Sequence, residues 1–338
     1  YAINLASGAT IDNFTNSGSI IGGTSNGIAG VNLASGSNIK TFTNGSNGFI
    51  SGNKGINLVA GSSIENFNNS GTIQGPQVGI QTNATINTFT NNGLINSPGS
   101  GEWSNGIWMS GSSNIDTFTN TGSIQGGGTG IRMAGGTIST FDNKGLIKTN
   151  SADGYGIYIT GGVSIDTLKN TGTIQGATQN GDGIRIKGSN VTINQIDNSG
   201  IIESADEAIG IKDWDYRIKV HTIKNSGTLK GTIIGIVGLN ADIDLIENSG
   251  TIITGQYNVT EGGSAAIQLH TTNVGTIINS GYIKSASTYG IQLITAYSSN
   301  TLKTLINTGT IEGKMDGLFI GQGTSTEYIE NTGVIKGG

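Results

Sequence analysis

One phrase recurs from one end of this chain to the other, and it limits the possible folds more than any other feature. Thr10-Ile11-Asp12-Asn13-Phe14-Thr15-Asn16-Ser17-Gly18-Ser19-Ile20 returns, with variations, as far as Glu330-Asn331-Thr332-Gly333-Val334-Ile335. Its Asn-x-Gly core is carried by Asn16, Asn69, Asn91, Asn120, Asn143, Asn170, Asn198, Asn225, Asn248, Asn279, Asn307 and Asn331, with Asn44 in a slightly expanded copy, at spacings of 22 to 31 residues. Periods of this length mark solenoids and arrays, in which a single repeat cannot bury its own apolar face. A chain of 338 residues built from one such unit needs no internal boundary, so residues 1–338 read as one solenoid.

Glycine contributes 58 residues, far above the usual share of about 7%, but without a collagen period and with an ordinary supply of Ile, Val and Leu. The two prolines, Pro76 and Pro98, fall between repeats, as expected if the remainder is sheet in which a missing N–H breaks a ladder. Only 12% of residues are charged and the net charge is −5, so no basic footprint for nucleic acid is present. No run of 18 apolar residues occurs. The absence of cysteine excludes disulfides and thiolate metal sites and is compatible with export.

Each repeat contains three short apolar segments, seen at 55–58, 64–67 and 71–75. In Gly55-Ile56-Asn57-Leu58 the apolar residues are two apart, which is the strand period and puts both on one face. Three strands per coil follow, giving an all-β fold: a right-handed parallel β-helix of about 13 coils, roughly 60 Å long at the inter-strand spacing. Tyr1 opens directly inside a repeat, and terminal coils of such a stack expose strand edges and core, so the chain reads as a segment that continues or is capped beyond both ends.

The parity of Phe67, Asn69, Gly71, Ile73 and Gly75 turns the asparagine inward. A lone buried amide is costly, but amides repeated at the same bend satisfy one another along the axis, so the asparagines read as an internal structural ladder. Asparagine tolerance of left-handed backbone and a relaxing glycine two residues later suit that bend. Two residues before the ladder stand Phe14, Phe42, Phe67, Phe89, Phe118 and Phe141, then Leu168, Ile196, Ile223, Ile246, Ile277, Leu305 and Ile329, a stacked core column. Offset aromatic pairs add about 0.5–1.5 kcal/mol each beyond burial, which makes the first six coils the stiffer ones.

The phrases Asn170-Thr171-Gly172-Thr173-Ile174, Asn225-Ser226-Gly227-Thr228-Leu229 and Asn307-Thr308-Gly309-Thr310-Ile311, each followed by a Gly-Ile-x-Leu type strand, resemble the right-handed β-helical passenger domains of Gram-negative autotransporters. The resemblance covers the whole chain. It implies export through a C-terminal outer-membrane barrel that this segment lacks, display at the bacterial surface or secretion, and a role such as adhesin or self-associating protein. It carries no activity by itself.

Function is therefore sought where repetition fails. The outward residue of each Gly-Ile-x-Leu strand reads Asn4, Asn32, Asn57, Gln81, then Trp108, Arg132, Tyr158, Arg185, Lys212, then Val237, Gln268, Gln292 and Phe319. Aromatic rings and cations at about 4.8 Å spacing form a stripe suited to stacking sugar rings and pairing anionic groups. Beyond Lys212 the pattern breaks: Asp213 takes an inward position and Trp214, Asp215, Tyr216 and Arg217 follow, which predicts a corner loop beside the stripe. Asp213 and Asp215 are the carboxylate pair a polysaccharide-cleaving enzyme needs. His221 and His270 lie in different coils without a serine-triad phrase, and neither a calcium nonapeptide nor His-Glu-x-x-His occurs, so no cofactor and no catalytic metal are expected. Insertions at 96–105 with Trp103, 149–155 with Tyr155, 204–208, and 254–266 with Tyr257 fall on one corner, and Glu203, Asp206 and Glu207 make a local acidic knot read as a solvated turn. The expected partner is a host-surface glycan or protein, or another copy of the chain. A polysaccharide-degrading β-helix or phage spike, and a spacer stalk, are the competing readings.

Overall fold

The computed structural model describes residues 1–256, 264–295 and 300–338. Every regular element in it is a strand, and the strands form three parallel sheets of 13 strands each, with every third strand in the same sheet. This is the β-solenoid that the repeat predicts. The residues group into two compact units, Tyr1–Thr167 and Leu168–Gly338. Tyr257 lies outside the described residues.

One coil of the first unit shows how the sequence makes the structure. Its strands are Lys54–Leu58, Ser63–Asn69 and Thr72–Gln74. Ile56, Leu58, Ile64, Phe67 and Ile73 are all buried, and each apolar side chain taken from water contributes about 1.5–3 kcal/mol. The next coil repeats these positions in register: Ile80 beside Ile56, Phe89 beside Phe67, Asn91 beside Asn69 and Ile95 beside Ile73. Pro76 and Pro98 lie outside the strands.

Phe14, Phe42, Phe67, Phe89, Phe118 and Phe141 form a stack in the first unit, with successive centroids 4.5–4.9 Å apart and planes within 6° of parallel. In the second unit the same position carries aliphatic side chains, as where Ile196, Ile223 and Ile246 stand beside one another.

The asparagine ladder is present in both units. In the first, each Nδ2 donates to Oδ1 of the next coil from Asn16 through Asn44, Asn69, Asn91 and Asn120 to Asn143, at 2.7–2.8 Å. In the second, the chain runs Asn170, Asn198, Asn225, Asn248, Asn279, Asn307, Asn331 at the same distances, 2.7–2.8 Å. All donors point the same way along the sequence, so each amide polarises the next. The backbone joins in: the Asn69 carbonyl accepts from Asn92 and Gly93 N–H at 2.7 and 3.1 Å.

The bend differs from expectation in one respect. The ladder asparagines do not use left-handed backbone, since Asn190, Asn240 and Thr271 are the non-glycine residues with positive φ among those described. Nor does the following glycine. Gly93 is required by proximity instead, because a Cβ there would sit 2.1 Å from the Gly71 carbonyl oxygen, and Gly122 stands equally close to Gly93. The coil spacing that makes the amide bonds leaves no room for a side chain.

Replacing Asn91 by Ala removes the acceptor of Asn69 and the donor to Asn120. Each buried group left unpaired costs about 1–3 kcal/mol. Chemical denaturation of N91A is expected to show a loss of that order per orphaned group, with a comparable loss for G93A through the carbonyl clash. T90A, whose side chain sits at a partly exposed position beside the ladder, is expected to stay within about 0.5 kcal/mol of wild type.

Candidate functional site

The outward column of the first sheet follows the expected register through the first unit: Asn4, Asn32, Asn57, Gln81, Trp108, Arg132 and Tyr158 are successive cross-strand partners. The three asparagines bond along the column, with Asn32 Nδ2 donating to Asn4 Oδ1 at 2.7 Å and Asn57 Nδ2 to Asn32 Oδ1 at 2.6 Å, while Gln81 Oε1 is buried without a hydrogen-bond partner. The column changes character at Trp108, where loops from neighbouring coils meet it.

Three side chains stack there. The Arg132 guanidinium carbon lies 4.2 Å from the Trp103 ring centroid and 5.2 Å from that of Tyr158. Trp103 is tilted against Trp108 at 6.0 Å, and Tyr155 stacks on Tyr158 at 4.8 Å. Glu102 stands 3.6 Å from Arg132 Nη1, and only 12% of the Arg132 side chain is exposed. The arginine is covered by rings and neutralised by a carboxylate, so it is not offered to an anionic ligand as the stripe led us to expect. Beside it opens a cavity of about 530 Å³ rimmed by Glu102, Ser151, Asp153, Tyr155 and Tyr158. Rings and hydrogen-bond acceptors line it. Trp103, Tyr155, Glu102 and Asp153 belong to this site although the strand pattern did not select them. Two of them, Trp103 and Tyr155, were visible only as aromatics in insertions.

In the second unit the register corrects the stripe. Arg185 pairs with Gly210, and Gly210 with Val237, so Lys212 is not in the column and stands instead beside Leu239. The strand is Glu207–Lys212, with Ile209 and Ile211 buried. The apparent insertion at 204–208 is a turn of two residues, because the preceding strand ends at Ser204.

The loop after Lys212 forms as expected, but Asp213 is inside it. Its carboxylate accepts backbone N–H bonds from Gly188 at 2.9 Å, Asp215 at 2.8 Å and Tyr216 at 3.1 Å. Burial alone would raise its pKa, yet these bonds and Lys187 hold it below the usual carboxylate range. Asp213 thus braces the loop. Arg217 turns to the next coil, 2.7 Å from Asp242, while Trp214 is 64% exposed and meets His270 edge-on at 5.7 Å. Glu207, Lys212, Trp214, Val237 and His270 line a second cavity of about 230 Å³.

Of the acidic knot, Glu203 and Asp206 are partly exposed, but Glu207 is not solvated. Glu207 is 4% exposed, and Asp182, from a loop at 176–183 that the repeat pattern did not single out, is fully buried. Oxygens of Asp182, Asp206 and Glu207 lie within 4.8 Å of one another. Arg185 Nη1 is 3.1 Å from Asp182 Oδ2, and Lys212 Nζ is 2.5 Å from Glu207 Oε1. Burial, then a hydrogen bond with Asp182 and its charge, raises the Glu207 pKa to about 8, outweighing Lys212. Burial and the charge of Glu207 raise that of Asp206 to about 6.

Elsewhere, His221 Nδ1 lies 2.6 Å from Asp244 Oδ2, a carboxylate partner not expected from sequence. The cavity next to Asp244 is lined by Asp242, Asn273, Gly275, Thr301 and Lys303 among others, with no serine or cysteine among the described residues that line it.

Comparison with family profiles, with curated proteins and with solved structures gives no match to this chain.

Glu207 holds a proton in the folded state that it loses near pH 4.5 when unfolded. Stability therefore falls as pH rises from about 4.5 to 8, by at most about 1.4 kcal/mol per unit for one proton. E207Q, which cannot ionise, is expected to gain on wild type progressively across that window when thermal midpoints are compared in chelating buffer. A difference independent of pH would show that Glu207 is ionised throughout.

Proposed function

We propose that this chain is the passenger segment of an exported autotransporter that acts at the bacterial surface as an adhesin, and that its first unit binds an extended, uncharged glycan. The observation that carries the binding reading is the stack of Trp103, Arg132 and Tyr158 beside the cavity rimmed by Glu102, Asp153 and Tyr155. Aromatic faces receive the C–H face of a pyranose, and carboxylates accept its hydroxyl donors. Two carboxylates at the rim, with the one cation of the stack covered, disfavour uronate and sulfate groups. Cross-strand spacing of about 4.8 Å lets successive sugars of one chain meet successive coils.

The autotransporter assignment rests on the Asn-Ser/Thr-Gly-x-Ile phrases and the solenoid they build. A host-surface glycan is the partner this site favours over a protein or a second copy of the chain. A hydrolytic role for Asp213 and Asp215 is not favoured, since both oxygens of Asp213 are committed to backbone N–H groups.

A glycan array probed with the full chain is expected to rank neutral oligosaccharides above sulfated and uronic ones. Trp103→Ala and Tyr158→Ala should each weaken the best signal about tenfold or more, equivalent to about 1.4 kcal/mol, while Asn57→Ala leaves it unchanged. Preference for sulfated chains, or indifference to both aromatic substitutions, would refute the reading.

A further inference from the structure

We propose that Asp182, Asp206 and Glu207 form a binding site for a hard divalent cation of the Ca²⁺ type in the second unit, with the Lys212 ammonium holding its place when no ion is bound. The site shares no residue with the sugar-binding face and does not depend on that reading.

The three carboxylates present oxygens within 4.8 Å of one another, a spread that one ion can bridge. Each of the two buried ones makes its close ion pair through one oxygen, Asp182 Oδ2 with Arg185 at 3.1 Å and Glu207 Oε1 with Lys212 at 2.5 Å, while Glu207 Oε2 stands farther off, 3.9 Å from Arg185. The other oxygens, Asp182 Oδ1 and Glu207 Oε2, are buried and accept no hydrogen bond from an N–H or hydroxyl donor, so the carboxyl–carboxylate contact of Glu207 with Asp182 has no further support. Such oxygens are expensive unless something positive meets them. Space is provided by Gly210, where any Cβ would come within 2.4 Å of Asp182 Oδ2.

Charge selects the valence. Three carboxylates face Arg185 and Lys212, and these two cations differ in freedom. Arg185 is wedged between Asp182 and, at 3.9 Å, Glu207 Oε2. Lys212 has a flexible stem and lines the open cavity under Trp214. When its ammonium swings into that cavity and the ion displaces the proton held by Glu207, three negative charges and one fixed positive charge remain, which a divalent ion balances. Hard cations take oxygen ligands, and Ca²⁺ completes a coordination of six to eight with water and carbonyl oxygens.

Terbium, a luminescent stand-in for Ca²⁺, gives the test, because Trp214 lines the same cavity as Glu207. Chelator-stripped full-length chain titrated with Tb³⁺ is expected to show tryptophan-sensitised emission that excess Ca²⁺ displaces. Trp214→Phe should lose the emission but keep Ca²⁺ binding by calorimetry, and Asp182→Asn with Glu207→Gln should lose both. Lys212→Met keeps all three carboxylates and should bind Ca²⁺ about tenfold more tightly, since a like charge a few ångströms away has gone. Absence of Ca²⁺ binding at millimolar concentration overturns the proposal. So does emission that survives the double carboxylate substitution, or weaker binding by Lys212→Met.

Discussion

A hydrogen bond of 2.7–2.8 Å between asparagine side chains of successive coils is the constraint to which the rest of each unit is fitted. The amide is buried, so leaving it unpaired is costly, and its partner exists only in the neighbouring coil. The bond therefore sets coil spacing at that corner. The spacing in turn brings backbone to backbone, which is why a Cβ at Gly93 or Gly250 would lie 2.1–2.2 Å from a carbonyl oxygen. Asn and Gly in the repeat are two consequences of one distance. The same register stacks the phenylalanine rings with planes within 6° of parallel, where an ordinary core would mix orientations.

The fold was legible because these constraints recur. Thirteen copies of one phrase expose the inward parity, and strands such as Ser63–Asn69 and Thr72–Gln74 lie where the parity puts them. The site was legible only in part, because its members are not periodic. Trp108, Arg132 and Tyr158 are in the column as read, whereas Lys212 is displaced by two positions. Gly210-Ile211-Lys212-Asp213 matches the glycine that opens the pattern but not its last apolar position, Ala208-Ile209-Gly210-Ile211 matches the apolar positions but not the glycine, and the cross-strand partner decides for the second. Asp182 escaped notice because its coil departs from the repeat just where it contributes the carboxylate. Nothing in the residues 176–183 taken alone says that Glu207 will be its neighbour.

The two units differ in how they handle charge on the outward face of the first sheet. Near Arg132 a single cation is sandwiched between rings and screened by one carboxylate, leaving an acceptor-rich, aromatic rim. Near Gly210 the column has no side chain of its own, and carboxylates from Asp182 and Glu207 close over the gap. The first arrangement exposes the Trp103 ring but leaves Arg132 Nε and Nη1 and Trp108 Nε1 buried without a hydrogen-bond partner. The second buries charge, which folding tolerates only because a proton and the cations Arg185 and Lys212 are at hand. Surfaces of this second kind are unstable to a change in which positive species fills them, and that is what gives the cluster chemical content.

These departures gather on one sheet because the three corners of the coil are not equivalent. Between the second and third strands the chain has two residues in every described coil except that of Asn44, which has four and keeps its place in the ladder; in the others the close glycine contact leaves little room for more. Apart from that coil, inserted residues fall at the other two corners. Both of those flank the first sheet. The loops at 98–104 and 176–183 enter it from one side and deliver Glu102, Trp103 and Asp182. The loop at 213–217 leaves from the other and delivers Trp214. A ladder that restricts one corner thus leaves the loop-borne clusters, those of Arg132 and of Asp182, to form over the opposite face, whereas the groups that lie on the other sheets, such as Lys284, Glu312 and Lys336, are built from strand positions.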